Sequence, residues 1–408
     1  MKPDNTATRW GIIFVAFAAG VIGAAHVGKI PVALPAMRSG LGLDLVGAGW
    51  VVSVFSTTGI VLGTTAGLVS DRFGHGITAI CGMVLLALGS ILGGFAWDGA
   101  SLLAARFAEG LGFLAVVVAV PSIISQSAHG DDRRLAVGMW GSFMPAGMAL
   151  ALLAAPWLLA AVDWRGTWFV MAGISLAWAG VMAVSFRGAP GSGRAGDAQT
   201  AWRGLIATLR ARGPWLLAFC FGFYTLSWLA LMVWLPTFVV ERRGGSVGLA
   251  ATLTLIAVAI NFPGNLTGGW LLSRGIRWSH LAAIGGVALV VCGPLIYLDL
   301  LDDLPRYGAC LVYSFASGMV PAAVLGGAPY FAPGPRQIGA TNGLIIQGSH
   351  LGQFIGPPLV AAAVAYSGSW QAGAGVFVAS GFGVLIFAAL IAREERRLNI
   401  DQGRASSR

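Results

Sequence analysis

An arginine and a glutamate lie one helical turn apart inside a long apolar run of this sequence. Arg106 and Glu109 belong to the run 101–128, and every other carboxylate of the chain falls in a loop or at the end of a run. An ionised side chain in hydrocarbon costs at least about 2.5 kcal/mol, so it persists only where it is paired or used. The two residues can form a structural ion pair, bind a charged solute or carry a proton.

Two more polar residues reach a similar depth from another apolar run. With a rise of about 1.5 Å per residue, Arg106 and Glu109 lie about 8 and 12 Å below the start of their run. His26 and Lys29 lie about 24 and 29 Å along the run 10–36, which crosses a hydrocarbon core about 30 Å thick in the opposite direction. His26 and Glu109 therefore come closest in level, and the four side chains form one cluster if the two runs face each other.

The charges of this cluster do not cancel. Lys29 and Arg106 are two positive groups against the single negative charge of Glu109, and the surplus favours an anion or a carboxylate-bearing solute as ligand. Histidines and buried carboxylates can change charge near neutral pH, so His26, Glu109 and His350 are candidate proton carriers. Two structural alternatives stay open: Lys29 can extend to the membrane surface, and His26 can be an ordinary hydrogen-bonded core histidine.

The elements that hold these residues are membrane-spanning helices. Hydrophobic residues make up 57% of the 408 residues and charged residues only 10%, whereas a soluble domain carries about 25% charged residues. Repeated apolar runs of membrane length predict an all-α membrane protein with twelve transmembrane helices. The predicted spans are 10–36, 46–69, 77–97, 101–128, 135–161, 167–186, 214–240, 247–272, 279–298, 306–332, 338–366 and 371–392.

The distribution of charge predicts the orientation and disfavours nucleic acid as a partner. The net charge of +9 comes mainly from arginines in short loops between the apolar runs, as the positive-inside rule requires of a membrane protein. With both termini in the cytoplasm, the arginines that fall outside are only Arg38, Arg165, Arg242, Arg243 and Arg306. The four cysteines lie within apolar runs and lack the spacing of a metal site or a disulfide framework.

A break in the series of apolar runs divides the chain into two six-helix bundles, predicted at 1–186 and 214–392, with a cytoplasmic tail at 393–408. The segment 187–213 between them begins as a flexible linker rich in glycine. It continues as a short amphipathic helix with apolar residues opposite two arginines: Trp202, Leu205, Ile206 and Leu209 against Arg203 and Arg210. This helix can lie on the membrane surface or pack on the bundle as a solvated helix.

The two halves of the chain match each other at offsets of 201 to 208 residues. Phe107-Ala-Glu-Gly110 corresponds to Phe315-Ala-Ser-Gly318, and Leu34-Pro35 corresponds to Leu235-Pro236. A repeat of six spans keeps its orientation in the membrane. The two bundles are therefore expected to be related by a two-fold axis along the membrane normal, with a binding site between them near the midplane.

The second half has neutral polar residues where the first half has charges. Ser314 and Ser317 stand at the positions that match Arg106 and Glu109. Pro263-Gly264 is expected to interrupt the eighth span and to free backbone groups, which must face either protein or a water-filled cavity. Tyr224 and Tyr313 could form the wall of a cavity. The candidate binding residues of this half are Tyr224, Asn261, Asn265, Tyr313, Gln347 and His350.

Three motifs resemble signatures of the major facilitator superfamily. They are Gly67-Leu-Val-Ser-Asp71-Arg72-Phe-Gly74 after the second span, Arg106-x-x-x-Gly110-x-Gly112 in the fourth, and Asp163-Trp-Arg-Gly-Thr-Trp-Phe169 before the sixth. The sequences of the stretches 106–113 and 140–148 most resemble those of the cyanate-permease-like branch. The resemblance covers essentially the whole chain, and it implies that the first and fourth spans face each other.

The resemblance also implies alternating access and a cytoplasmic gate. Asp71 would help to lock the cytoplasmic side through a basic partner, for which Arg133 and Arg134 are the candidates. His75 and Gly76 stand where the family usually carries basic residues, and this departure weakens the expected lock. The structural alternative is an ordinary solvated charge pair in a loop. The candidate gating residues are Gly67, Asp71, Arg72, Gly74, Arg133 and Arg134.

Residues and resemblance together predict a secondary active transporter that moves a small anionic or carboxylate-bearing solute across a bacterial inner membrane, with protons as a candidate coupling ion. It is expected to act as a monomer without cofactor or metal, and the sequence contains no G-x-x-x-x-G-K-[ST] motif for a nucleotide. An efflux antiporter for lipophilic compounds is the alternative transport function. A membrane enzyme or a structural partner is disfavoured, because the spans contain neither H-E-x-x-H nor paired aspartates.

Overall fold

The computed structural model describes residues 7–129, 132, 136, 139–186, 198–334 and 337–406, which are almost entirely helical. The first half contains α1 (Trp10–Leu41), α2 (Leu45–Ser53), α3 (Thr57–Phe73), α4 (His75–Gly94), α5 (Gly99–Ser127) and α6 (Phe143–Ser185). The second half contains α7 (Ala198–Arg210), α8 (Arg212–Thr237), α9 (Val247–Ser273), α10 (Trp278–Tyr297), α11 (Asp303–Ser317), α12 (Met319–Phe331), α13 (Ile338–Ser367) and α14 (Gly373–Ser406). A 3-10 turn at Val54–Ser56 separates α2 from α3, and a π-helical turn at Phe238–Arg242 follows α8.

Ten helical segments of the described chain are long and apolar enough to cross a membrane. One of them, α6, has 43 residues and bends at Asp163, so it supplies both the fifth and the sixth predicted spans. α13 is 30 residues long and is not among the ten; it carries the polar residues Gln347, His350 and Gln353 in its middle. The prediction of an all-α membrane fold with twelve spans is therefore confirmed.

Two compact units make up the chain. One consists of Met1–Gly196 together with Leu235–Leu255, and the other of Asp197–Trp234 together with Ile256–Arg408. The end of the seventh span and the start of the eighth thus belong to the first unit. The predicted bundle limits, 1–186 and 214–392, stay a prediction.

Glycines bring the spans of each unit into close contact. In the first unit, a methyl group on Gly147 would overlap the carbonyl oxygen of Val21, so α6 and α1 approach each other to backbone contact. In the second unit, a methyl group on Gly352 would overlap the carbonyl oxygen of Gly222, so α13 and α8 are also in backbone contact. Gly222 lies 201 residues after Val21, and Gly352 lies 205 residues after Gly147, within the offsets of the sequence repeat.

A second pair of close contacts follows the same repeat. Gly110 of α5 lies against the carbonyl oxygen of Phe55, and Gly318, between α11 and α12, lies against that of Asn261 in α9. Small residues permit such backbone approach, which promotes helix association in membranes. The internal repeat is therefore visible in the helix packing of each unit taken by itself.

Asp163 separates the fifth and sixth spans within α6. Its φ of 56° is a left-handed conformation, and such backbone strain costs about 1–3 kcal/mol for a residue with a side chain. Its Oδ1 accepts a hydrogen bond of 2.9 Å from the N–H of Gly166, which caps the helical segment that follows. This turn sets the start of the sixth span, which carries Trp168 and Ser175.

α5 carries Arg106 and Glu109 and begins at a defined cap. The Asp98 carboxylate accepts a hydrogen bond of 2.8 Å from the N–H of Ser101, and the Ser101 hydroxyl group accepts one of 3.2 Å from the N–H of Asp98. The hydrogen bonds from Ser101 lower the pKa of the Asp98 carboxyl group. Because this capping box fixes where the helix starts, it also fixes the depth of the charged pair.

α9 runs without interruption from Val247 to Ser273 and includes Pro263. The predicted break of the eighth span at Pro263-Gly264 is therefore wrong. A proline is tolerated in a membrane helix where neighbouring groups satisfy the freed backbone. Gly264 lies against the carbonyl oxygen of Phe315 in α11, so this small residue serves helix packing and not a break.

Replacing Gly147 by alanine should destabilise the protein, because the new methyl group must displace the backbone at Val21 and overpacking costs about 1–3 kcal/mol. Gly173, also in α6, is the matched control, since nothing lies within 4 Å of a methyl group built there. The higher helix propensity of alanine should make Gly173→Ala neutral or stabilising. Thermal unfolding of both variants in detergent measures the difference, and equal melting temperatures would contradict the close contact.

Candidate functional site

The carboxylate group of Glu109 is shared by three donors from two helices. Oε1 accepts from Lys29 Nζ at 2.5 Å and from His26 Nδ1 at 3.0 Å, and Oε2 accepts from Arg106 Nη1. His26, Arg106 and Glu109 are fully buried, and Lys29 is 2% exposed. The structure therefore brings these four residues of α1 and α5 into one ionised cluster inside the first unit.

The ammonium group of Lys29 is enclosed by α4, α5 and α6. Besides Glu109 it donates to the hydroxyl group of Ser90 at 2.8 Å, and it lies 4.1 Å from the centre of the Trp168 ring. Ser90 in turn donates to the backbone carbonyl of Trp168 at 2.9 Å. Lys29 therefore points into the bundle, and the alternative in which it extends to the membrane surface is wrong.

His26 links the cluster to the sixth span. With a proton on Nδ1, the ring donates to Glu109, and Nε2 accepts a hydrogen bond of 2.9 Å from the hydroxyl group of Ser175. The ammonium nitrogen of Lys29 lies 3.3 Å from Nδ1. His26 is thus hydrogen-bonded on both nitrogens, beside one carboxylate and one ammonium group.

The guanidinium group of Arg106 is oriented by backbone carbonyls. Nε donates to the carbonyl of Val51 at 3.2 Å, and Nη1 donates to the carbonyl of His26 at 3.1 Å. The group lies 4.4 Å from the centre of the Phe55 ring, which belongs to the 3-10 turn of the second span. Nη2 is buried without a hydrogen-bond partner among the described residues. Since an unpaired buried donor costs about 1–3 kcal/mol, a further acceptor at Nη2 would stabilise the site.

The hydroxyl and aromatic residues that complete the cluster were not identified from the sequence. Ser90 and Ser175 are fully buried, and each is a hydroxyl group in the middle of an apolar span, which is the signal that could have identified them. Trp168 and Phe55 carry no comparable signal, because aromatic residues are common in membrane helices. Their contacts with the two cations depend on helix rotation, which the sequence does not specify.

At the matching positions, the second unit holds a neutral hydrogen-bond network. Asn261 Nδ2 donates to the carbonyl of Ser314 at 2.8 Å and lies 3.4 Å from the hydroxyl oxygen of Tyr224. The hydroxyl groups of Tyr313 and Ser227 are 3.2 Å apart, and Ser227 also donates to the Tyr224 carbonyl at 2.9 Å. All five residues are buried, so Tyr224, Asn261 and Tyr313 meet in one uncharged network.

Three other candidates of this half have different surroundings. Asn265, in α9, and Gln347, in α13, are partly exposed. His350 is only 6% exposed, and its Nδ1 has no hydrogen-bond partner among the described residues. Hydrogen bonds within the described residues do not join Asn265 or His350 to the network of Tyr224 and Asn261. A role for these three residues in binding stays a prediction.

The predicted gate is described only in part. Three of its residues lie in α3: Gly67, Asp71 and Arg72. The side chain of Arg72 is exposed, and its guanidinium group lies 5.9 Å from the centre of the Phe73 ring. Gly74 has φ of 94°, a conformation that favours glycine, where the chain turns into α4. Two residues lie outside the described part of the chain, Arg133 and Arg134, so the partner of Asp71 stays a prediction.

A helical membrane protein with an ionised cluster inside a repeated bundle has the form of a solute transporter. The comparison with known families agrees with this class, since the model of the Major Facilitator Superfamily matches residues 10–357. The chain belongs to this family of transporters. Its resemblance to the cyanate-permease-like branch stays a prediction.

Known proteins similar to this chain cover nearly all of it. A probable sulfoacetate transporter of Cupriavidus necator is 25% identical over an alignment of 368 residues, and the match covers 84% of this chain and 84% of the relative. The hexuronate transporter of Bacillus subtilis is 24% identical over an alignment of 406 residues, and the match covers 93% of this chain and 92% of the relative. The crystal structure of a bacterial homolog to the human lysosomal transporter Spinster, inward-facing and unoccupied, has a TM-score of 0.80 at 15% identity and covers 98% of this chain and 99% of that chain. The structural likeness confirms the fold.

Charge balance within the cluster should decide its stability. Glu109→Gln leaves Lys29 and Arg106 without an anion and should destabilise the protein by about 3–5 kcal/mol, as expected when a buried ion pair loses one partner. Lys29→Met leaves the pair Arg106–Glu109 intact and should have a smaller effect. Adding Lys29→Met to Glu109→Gln should recover part of the loss, because only one buried cation then remains.

A double-mutant cycle on thermal unfolding of these variants in detergent measures the coupling between Lys29 and Glu109. We expect the double variant to be more stable than Glu109→Gln alone. Strictly additive losses would show that the two side chains do not interact as charged partners.

Proposed function

We propose that this chain is a secondary active transporter that moves a small anionic or carboxylate-bearing solute across the bacterial inner membrane by alternating access. The observation that carries the proposal is the surplus of positive charge in a buried cluster, where Lys29 and Arg106 face the single carboxylate of Glu109. An anionic solute is the ligand that would neutralise this surplus. The names of the two relatives support it, since sulfoacetate and hexuronate are both acid anions.

Arg106 is the group best placed to meet the solute. Its Nε and Nη1 are held by backbone carbonyls and by Glu109, while Nη2 has no partner among the described residues. Guanidinium groups bind carboxylates and related oxyanions through planar, charge-assisted hydrogen bonds. We place the anionic group of the solute at Nη2. Because Arg106 is fully buried, the solute reaches it only when part of the surrounding structure moves. We assign this movement to the 3-10 turn of the second span, whose Phe55 ring lies against the guanidinium group.

Protons are the coupling ion that this cluster suits best. A proton bound at Glu109 or His26 adds one positive charge to the cluster and so strengthens the binding of an anion. By thermodynamic linkage, the bound anion favours the proton by the same factor. A proton and an anion would then move together, and a proton gradient would drive uptake of the solute.

Efflux of lipophilic compounds is the competing transport function. A buried surplus of positive charge disfavours lipophilic cations, and it adds nothing to the binding of neutral apolar compounds. The cluster therefore supports the anion over the lipophilic substrate. The orientation proposed with it places both termini in the cytoplasm, because the arginine-rich loops then face inside, and the transporter is proposed to act as a monomer.

Purified protein in liposomes should take up small carboxylates and sulfonates, and should reject their neutral amides and lipophilic cations. Lys29→Met should lower this uptake about tenfold, which corresponds to a binding loss of about 1.4 kcal/mol, whereas Lys29→Arg keeps the charge and should retain more activity. Arg396→Gln is the control, since it removes an exposed arginine of α14 and should leave uptake unchanged. Transport of neutral compounds alone would exclude the anion as substrate.

Glu109→Gln should abolish uptake that is driven by a pH gradient, because the amide cannot release a proton. Exchange of labelled against unlabelled solute needs no net proton movement and should persist, which also shows that the destabilised variant is folded. A pH-sensitive dye inside the liposomes reports the accompanying proton flux. If pH-driven uptake in Glu109→Gln equals that of the wild type, Glu109 is not the proton carrier.

A further inference from the structure

Helix α7 presents two exposed stripes of different chemistry. Trp202 and Leu209 lie seven residues apart on one face, and their side chains are 55% and 42% exposed. Arg203 and Arg210, also exposed and seven residues apart, form a basic stripe beside it, because successive residues of a helix with about 3.6 residues per turn are about 100° apart. Thr208, on the far side, is fully buried.

Two contacts fix the position of α7 along the spans of its unit. The indole N–H of Trp215, in the first turn of α8, donates to the carbonyl of Leu209 at 2.9 Å. Gly204 faces the side chain of Gln337, the residue that precedes α13. As the seventh and eleventh spans, α8 and α13 begin at the same membrane face. α7 therefore lies across the ends of two parallel spans, at the membrane surface.

The exposed apolar stripe distinguishes the two interpretations of this helix that the sequence leaves open. A solvated helix packed on the bundle would bury its whole apolar face, whereas in α7 Leu205 and Ile206 are only half-buried. Trp202 and Leu209 of the same face are exposed, and Thr208 is the buried residue. A helix in the membrane interface places apolar side chains at the acyl boundary and basic side chains at the headgroups. The segment 198–213 also contains no aspartate or glutamate, which suits a negatively charged surface.

We propose that α7 docks on a leaflet of anionic phospholipid. Trp202 and Leu209 insert into the acyl boundary, and Arg203 and Arg210 bind lipid phosphate groups. Guanidinium groups form charge-assisted hydrogen bonds with phosphate oxygens, and anionic headgroups attract basic segments beside a membrane. Because α7 contacts the first turn of α8 and the residue before α13, anionic lipid stabilises the second unit. The proposal does not depend on the transported solute.

Thermal unfolding of the full-length protein in a neutral detergent tests the role of lipid charge. Added phosphatidylglycerol should raise the melting temperature more than added phosphatidylcholine, and high salt should shrink this difference because it screens the charges. Arg203→Gln/Arg210→Gln should lose at least half of the phosphatidylglycerol-specific rise. Arg396→Gln, which removes an exposed arginine elsewhere, should keep it.

Tryptophan fluorescence in vesicles locates the helix independently of its stability. Phosphatidylglycerol brominated in its acyl chains quenches tryptophans that reach the acyl boundary, so the quenched fraction of the emission should be smaller in Trp202→Phe than in the wild type. Equal quenching in the two proteins overturns the insertion of α7. Two results would overturn the binding of anionic headgroups. One is a phosphatidylglycerol-specific rise in melting temperature that is undiminished in Arg203→Gln/Arg210→Gln, and the other is an equal rise in melting temperature with phosphatidylcholine.

Discussion

The first unit is organised around one buried carboxylate. Glu109 accepts hydrogen bonds from Lys29, His26 and Arg106, and a charge in a medium of low dielectric is stable only with partners of this kind. The donors come from α1 and α5, and hydroxyl groups of α4 and α6 hold the donors in place. Gly89 allows α4 to approach the backbone of α5 at Glu109, since a methyl group at this glycine would lie 2.7 Å from the backbone nitrogen of Glu109. Helix packing and charge pairing in this unit therefore depend on each other.

The second unit has the same backbone contacts as the first, but its buried polar residues are different. Gly110 lies against Phe55 as Gly318 lies against Asn261, yet the ionised cluster of the first unit is matched by a network of hydroxyl and amide groups. A neutral network satisfies its own donors and acceptors, so it has no surplus charge that a ligand could neutralise. A glycine-packed backbone thus accommodates two different polar centres, one ionised and one neutral.

Depth along a helix could be predicted from the sequence, whereas rotation about its axis could not. Counting residues from the ends of the spans placed His26 level with Glu109, and the structure brings them to hydrogen-bonding distance. A hydroxyl group within an apolar span marks Ser90 and Ser175 as candidates, but their contacts with Lys29 and His26 depend on the rotation of α4 and α6 about their axes. The break expected at Pro263 failed for a related reason, since neighbouring helices decide whether a membrane helix tolerates proline. Twelve spans and the family could be inferred because apolar length and motif spacing are local properties.

If the first unit binds the anion proposed above, its surplus positive charge makes its energy depend on that ligand. Among the described residues, the unit has a surplus positive charge and Arg106 Nη2 has no hydrogen-bond partner; the anion proposed to bind there would satisfy both. A ligand can shift a conformational equilibrium only by its difference in affinity for the two states, and a group covered by Phe55 in this conformation offers such a difference. In this proposal the 3-10 turn must move before the anion can contact the guanidinium group. Binding of the anion and rearrangement of the second span are therefore thermodynamically coupled. An uncharged solute could accept a hydrogen bond from Nη2, but it would leave the surplus positive charge uncompensated and would supply less energy to hold the turn open.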